Sequence, residues 1–283
     1  KQHTERGFLM TVDFHTHIFP DKIAEAAISK LAAAGDSVPF TDGTLAGLKK
    51  SMKEGGIDYS VILPVATSAH QFDSVNRFAA EINGKDGIFS FGGIHPDNEN
   101  VEEKLDYIKS LGLKGIKLHP DYQKTFIDDE RYIRIISHCI KIGLYVSIHS
   151  GIDVGYPDPV HCTPERALKL LKAVPQHSEP KIIFAHTGAF GMWDEVEKYL
   201  VGQNIYFDLA FCLDKIDFGQ LARIIKNHGS DKILFGSDSP WASQKEYKVL
   251  LNALPISDAD KENIAFKNAF EILSIESFKA LTL

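Results

Sequence analysis

Cysteine is scarce: the chain of 283 residues has three, Cys139, Cys162 and Cys212, with no CxxC pair among them. An odd, scattered set excludes a disulfide framework and a cysteine-built zinc site. No stretch approaches the roughly 18 uninterrupted apolar residues of a membrane span, and Lys1–Met10 lacks the apolar run of a secretion signal. These absences point to a cytoplasmic protein with no membrane partner. Positive charge is in deficit, with 31 Lys and Arg against 38 Asp and Glu and no long basic run. A nucleic-acid partner that must track phosphates therefore has little electrostatic support. There is no Pro/Gly/Ser-rich linker and no low-complexity tract to divide the chain, and 44% hydrophobic with 24% charged residues excludes a disordered one.

What is present is a recurring pattern. Short runs rich in β-branched and aromatic residues occur at Leu9–Phe14, Tyr59–Val65, Ile88–Ile94, Gly115–Leu118, Leu144–Ile148, Ile182–Ala185, Ile205–Leu209 and Ile233–Phe235. Between them lie helical spacings such as Val101–Ser110, Glu130–Lys141, Pro164–Ala173, Met192–Leu200 and Phe218–Asn227. Phe14 and Phe235 are 221 residues apart, about 32 for each of seven strand-to-strand repeats, the length of one strand–helix unit. Near-continuous apolar strands are those of a parallel sheet covered on both faces. The pattern predicts an α/β fold, a single-domain (β/α)8 TIM barrel. Its core spans about residues 11–240, and a C-terminal helical segment at about 244–283 packs outside the barrel, with helical patterns at Ala259–Phe270. Met10 stands just before the first motif as a candidate start, with Lys1–Leu9 an extension.

Polar residues choose the barrel over an open sheet. His15, His17, His95, His119, His149, His186 and Asp238 all fall at the C-terminal ends of predicted strands, which in a (β/α)8 barrel converge on the face where active sites are built. In Asp13-Phe14-His15-Thr16-His17, positions i and i+2 share a strand face, so both imidazoles can meet one metal ion. An isolated HxH is more simply two histidines in a turn. His149, His186 and Asp238 each close a further apolar strand, however, and a histidine capping a buried strand costs desolvation unless it is bonded. Asp13 reads equally as a carboxylate orienting an imidazole or as a strand-end cap. His95 and His119 precede prolines and are expected to position loops. The loop Ser150–Thr163 is long, and Thr163-Pro164-Glu165 closes it as a helix start.

HxH on strand one, histidines ending strands five and six, and Asp238 within Phe235-Gly236-Ser237-Asp238-Ser239-Pro240-Trp241 resemble the amidohydrolase superfamily of metal-dependent (β/α)8 enzymes. Gly115-Ile116-Lys117-Leu118-His119-Pro120 and the Gly-Ser-Asp-x-Pro-Trp ending are similar to its amidohydrolase-2 branch, which includes aminocarboxymuconate-semialdehyde decarboxylase. The resemblance runs from about Thr11 to Asn268. It implies His15, His17, His149 and Asp238 as ligands of one divalent metal ion, zinc with manganese as the alternative. His186 would exchange protons with a metal-bound water, and Asp238 would double as a general base. Binuclear members carboxylate a fourth-strand lysine. Here Lys117 is expected instead to meet an anionic substrate group or form a buried ion pair. Lys117, His119, Tyr156, His161 and Trp241, with Tyr122, are candidate substrate contacts.

The resulting expectation is a metal-dependent hydrolase that opens a small carboxylate-bearing ester, amide or lactone with a metal-activated water. The alternative is a non-oxidative decarboxylase using the same constellation. A TatD-type nuclease or phosphoesterase ranks behind both, because its acidic fourth-strand ligand is missing. A small-molecule substrate is the expected partner, and the resemblance suggests a homodimer.

Overall fold

The computed structural model describes residues 10–276, so the expected Lys1–Leu9 extension and the last seven residues of the tail lie outside the described residues. Among the described residues nine strand segments follow one another around a ring: β1 (Val12–Thr16), β2 (Tyr59–Ile62), β3 (Ile88–Ser90), β4 (Gly92–Gly93), β5 (Gly115–Leu118), β6 (Tyr145–Ile148), β7 (Ile182–Phe184), β8 (Tyr206–Asp208) and β9 (Ile233–Leu234). All paired neighbours run parallel. The third predicted strand is split into β3 and β4 about Phe91, whose N–H still donates to Ile62 O of β2 at 2.9 Å. At that break Asn76 of helix α3 (Phe72–Ile82) bonds both backbone groups of Gly93. A Cβ on Gly92 would stand 2.5 Å from Asn76 Oδ1, so glycine is what lets the helix approach.

The ring closes between the last strand and the first. Phe14 N–H donates to Phe235 O (2.8 Å), Asp238 N–H to His15 O (2.8 Å) and His17 N–H to Ser239 O (2.6 Å). The architecture is therefore the expected (β/α)8 barrel, with eight strand positions. Strand residues of one parity pack outward on the helices, whereas Val12, Phe14, Val61, Leu63, Phe91, Ile183 and Leu234 form a separate inner cluster. Burial on both faces is why these strands read as unbroken apolar runs.

Helices α4 (Val101–Ser110), α5 (Glu130–Ile142), α6 (Pro164–Ala173), α7 (Trp193–Tyr199) and α8 (Phe218–His228) fall within a residue or so of the sequence spacing. Thr163 caps α6 by accepting from Arg166 N–H, as its sequence predicts. Two helices, α1 (Asp21–Gly35) and α2 (Leu45–Gly55), occupy the first crossover before α3. After α9 (Gln244–Ala253), the tail forms α10 (Asp258–Glu262), a π-helical turn at Asn263–Lys267 and α11 (Asn268–Leu273). Rather than lying along the outer wall, α11 stoppers the end opposite the histidines: Phe270, Ile272 and Leu273 join the inner cluster, with Phe270 edge-on to Tyr59 at 5.8 Å. No helix among the described residues is long and apolar enough to cross a membrane, and all three cysteines are buried and unpaired.

Candidate metal centre

Register, not simple alternation, sets the direction of the first-strand side chains. The pairing of β1 with β2 slips between Asp13 and Thr16, as a bulge does. Asp13 consequently faces α9 and accepts hydrogen bonds from Ser237 N–H (2.9 Å), Ser237 Oγ and Gln244 Nε2 (2.7 Å). It touches neither imidazole ring, so its role is to pin the two ends of the barrel seam. Burial pushes its carboxyl up to about 6 despite those bonds.

Beyond the slip, His15 and His17 face the barrel mouth together with Asp238. His15 Nε2 lies 3.1 Å from His17 Nε2 and 3.2 Å from Asp238 Oδ1, and His17 Nε2 lies 3.1 Å from the same oxygen. The other ring nitrogens fix the tautomers. His15 Nδ1 is 2.8 Å from Asp208 Oδ2, and His17 Nδ1 is 2.9 Å from Leu63 O. Those oxygens only accept, so the protons sit on Nδ1 and both Nε2 lone pairs point toward Asp238 Oδ1. Three lone pairs converging at such distances repel unless a positive charge lies between them. Two donors at right angles around an ion, each about 2.1 Å from it, are about 3 Å apart. Two neutral imidazoles and a carboxylate therefore fit a divalent metal ion. Burial and the Lys117 ammonium hold His15 well below its usual range, which keeps it neutral.

Backbone shape aims these groups. Asp238 and His186 take left-handed φ values of 72° and 61°, conformations costly for most side chains but the ones in which Asp and His are enriched. A Cβ on Gly236 would stand 2.9 Å from His15 Cβ, so the seam tolerates no side chain there. Asp208 is the functional residue that sequence reasoning missed. Fully buried at the end of β8, it accepts from His15 Nδ1 and from the N–H groups of His186 (2.9 Å) and Ala210 (3.1 Å). Its signal was a lone acid inside the apolar run Ile205–Leu209.

His186 donates from Nδ1 to Ala210 O (2.8 Å), leaving Nε2 to accept from His149 Nδ1 at 3.0 Å. His149 stacks on His119 (4.0 Å between centroids), which stacks on Tyr122 (3.7 Å). Its Nε2 has no hydrogen-bond partner and stands 3.7 Å from Asp121 Oδ2 and 3.8 Å from Asp153 Oδ2. Among the described residues the close donor groups are His15, His17 and Asp238; His15, His186 and Asp208; and His119, His149 and Asp153. His149, expected as a fourth ligand beside His15, His17 and Asp238, is thus grouped with His119, although it lines the same cavity.

That cavity has a volume of about 440 Å³. Lys117, fully buried, reaches His15 Nε2 at 3.3 Å and Ser147 Oγ at 3.5 Å, and burial pushes its ammonium down to about 8 against the opposing pull of Asp208 and Asp238. Lys117, His119, Tyr122 and Trp241 line the cavity as expected for substrate contacts; Tyr156 and His161 do not. Tyr156 stands half-exposed against the edge of Tyr122, and Asp121 captures His161 through Nδ1 at 2.8 Å. His95 holds its own loop, its Nδ1 accepting from Asp97 N–H.

Comparison with known proteins brings in relatives. A family model described as amidohydrolase matches residues 12–275. Among solved structures, 2,6-dihydroxybenzoate decarboxylase from Rhizobium is 17% identical with a TM-score of 0.69, covering 94% of this chain and 99% of that one. The 5-carboxyvanillate decarboxylase of Sphingomonas paucimobilis is 13% identical with a TM-score of 0.69, covering 94% and 99%. A dihydroxybenzoic acid decarboxylase from Polaromonas sp. JS666, with bound manganese and 2-nitroresorcinol, is 14% identical with a TM-score of 0.68, covering 97% and 99%. At such identities the likeness fixes the fold alone. No curated protein matches the sequence.

Proposed function

The chain belongs to the amidohydrolase family, and from that premise we propose that it is a metal-dependent, non-oxidative decarboxylase of a small hydroxylated aromatic acid. The observation that carries the proposal is the convergence of the His15, His17 and Asp238 lone pairs on one point of a cavity that also holds the Lys117 ammonium. The decarboxylase activity of the structural relatives supports the lyase over the hydrolase expected from sequence. A divalent ion held by His15, His17 and Asp238, manganese as in the Polaromonas enzyme or zinc as the donor set allows, would supply a Lewis acid that anchors substrate oxygens.

The protein's own groups then account for the rest. Lys117 meets the negative charge of the entering acid, and burial strengthens that pairing. Loss of carbon dioxide from the acid requires a proton to reach the ring carbon that the carboxylate leaves. Asp238 and the His149–His186 pair line the same cavity and hold the titratable sites within its reach. His186 Nε2 accepts a hydrogen bond from His149 Nδ1, so the two rings can share a proton and pass it inward. Incubating the Mn²⁺- or Zn²⁺-loaded protein with ortho-hydroxylated benzoates should release carbon dioxide and the corresponding phenol in equal amounts, with about one metal ion bound per chain. Cleavage of an ester, amide or lactone panel without any carbon dioxide release from the acids would overturn the proposal in favour of the hydrolase.

A further inference from the structure

Polarity is segregated within the cavity. Every charged or imidazole group lining it, among the described residues, comes from the strand ends and loops after β1, β5, β6, β7 and β9. The far wall is apolar. Ile23, Ala27 and Leu31 recur at i, i+4 and i+8 along one face of α1, and Val75 and Phe78 of α3 and Val154 line the same cavity. The adjoining flank of α1, Ala24 and Ile28, is buried against the body, so the helix is anchored in this orientation. Its C-terminal end meets the β6–α6 loop: a Cβ at Gly35 would stand 3.1 Å from Val154 Cγ2, and one at Gly155 would stand 3.5 Å from Ala34 Cβ. Together they border the apolar end, where Ile23 and Val154 are each about half-exposed.

The few polar side chains at that end are already engaged within the protein. Ser37 Oγ donates to Gly35 O (2.9 Å), Ser74 Oγ to Gln71 O (3.0 Å) and Thr67 Oγ1 to Gln71 Oε1 (3.0 Å). Gln71 Oε1 is taken up in the same way, and among the described residues no Lys or Arg other than Lys117 lines the cavity to hold a carboxylate or phosphate at that end. The volume of about 440 Å³ falls within the roughly 300–1,000 Å³ of sites that bury drug-sized ligands, which is more than a single benzoate ring requires.

We infer that the substrate is amphiphilic: an aromatic acid head at the barrel mouth joined to an alkyl or second-ring tail that lies along α1 and α3. The head-group chemistry rests on the decarboxylase reading; the tail compartment does not. Each buried methylene strengthens binding by about fourfold, and the gain ends where the compartment ends.

The test uses the metal-loaded protein and 2-hydroxybenzoates bearing 6-n-alkyl chains of zero to eight carbons. Kd is read by titration calorimetry and kcat/KM by carbon dioxide release. Tightening by about fourfold per carbon over the first carbons, followed by a plateau, supports the inference. Ala27→Trp, which fills the compartment, should flatten the series, and Leu31→Ala, which lengthens it, should move the plateau to a longer chain. A Kd independent of chain length, or a plateau that stays put in Leu31→Ala, overturns the inference. Chain-dependent Kd without carbon dioxide release from any member sinks the decarboxylase reading and spares the compartment. Carbon dioxide release from the unsubstituted acid with no chain dependence does the reverse.

Discussion

Replacing Asp208 by Asn tests the tautomer argument with little change in shape. Asp208 Oδ1 accepts from the N–H groups of His186 (2.9 Å) and Ala210 (3.1 Å), and Oδ2 accepts from His15 Nδ1 (2.8 Å). An asparagine keeps both backbone bonds only by placing its oxygen at the Oδ1 position, which puts its NH2 where Oδ2 was. Two donors would then face each other at 2.8 Å. The imidazole escapes by moving its proton to Nε2, which withdraws the lone pair that faces His17 and Asp238. Restoring the metal-binding tautomer means leaving a buried donor unpaired, a cost of about 1–3 kcal/mol. At 1.4 kcal/mol per factor of ten this is about 5- to 150-fold in metal affinity, which spans the 10- to 100-fold typical of losing a hydrogen-bond partner behind a ligating histidine. Mn²⁺ affinity, measured by competition with a chelator, should fall by that factor, while the metal-free protein melts within a few degrees of wild type. A variant that binds Mn²⁺ within twofold of wild type would refute the reasoning, because the carboxylate would then not be what fixes the His15 proton.

Further outcomes follow from the same contacts. His186→Gln should retain Mn²⁺ yet lose roughly 10²–10⁴ in kcat for carbon dioxide release if its ring carries the proton; undiminished turnover would remove it from the mechanism. Gly236→Ala forces a Cβ to within 2.9 Å of His15 Cβ and 3.2 Å of Ala210 Cβ. Overpacking there should cost about 1–3 kcal/mol, at about 2–4 °C of Tm per kcal/mol, and a scanning calorimetry trace that superimposes on wild type would contradict it. His228 donates from Nε2 to Ile205 O (2.8 Å) and accepts Gly202 N–H at Nδ1 (3.1 Å), so it must be neutral, and burial pushes it down to about 4. Because the unfolded ring titrates near 6.5, its contribution is intact above that pH. It is lost progressively as pH falls toward 4, by up to about 3 kcal/mol. Urea midpoints at pH 7 and pH 5 should show this slope in wild type and a shallower one in His228→Gln.

The barrel was legible because strands buried on both faces must be continuous apolar runs and because the helices between them keep a regular spacing. The candidate metal trio was legible because His15, His17 and Asp238 interrupt that apolar pattern where parallel strands converge. What stayed hidden depended on tertiary geometry. The register slip in β1 breaks the two-residue period, so Asp13 turns toward Gln244 while His15 does not. Asp208 was concealed inside a run scored as apolar, and only the fold shows His15 behind it. Loop residues were least readable: His161 lies in the right loop, but Asp121, forty residues earlier in the chain, claims its ring. The orientation of His149 likewise follows from stacking on His119 and bonding to His186, neither of which its strand-end position reveals.

The seam between first and last strands carries one more consequence. The bond from Ser237 to Asp13 spans 224 residues, and the three converging donors straddle the same seam. A growing polypeptide emerging from the ribosome presents His15 and His17 together but gains the Asp238 carboxylate only 221 residues after His17. Capture of an ion by this trio would thus wait for the last strand, and a loaded ion would act as a clasp holding that strand to the first. Fragments stopping short of residue 238 should be starved of metal however well their early strands form.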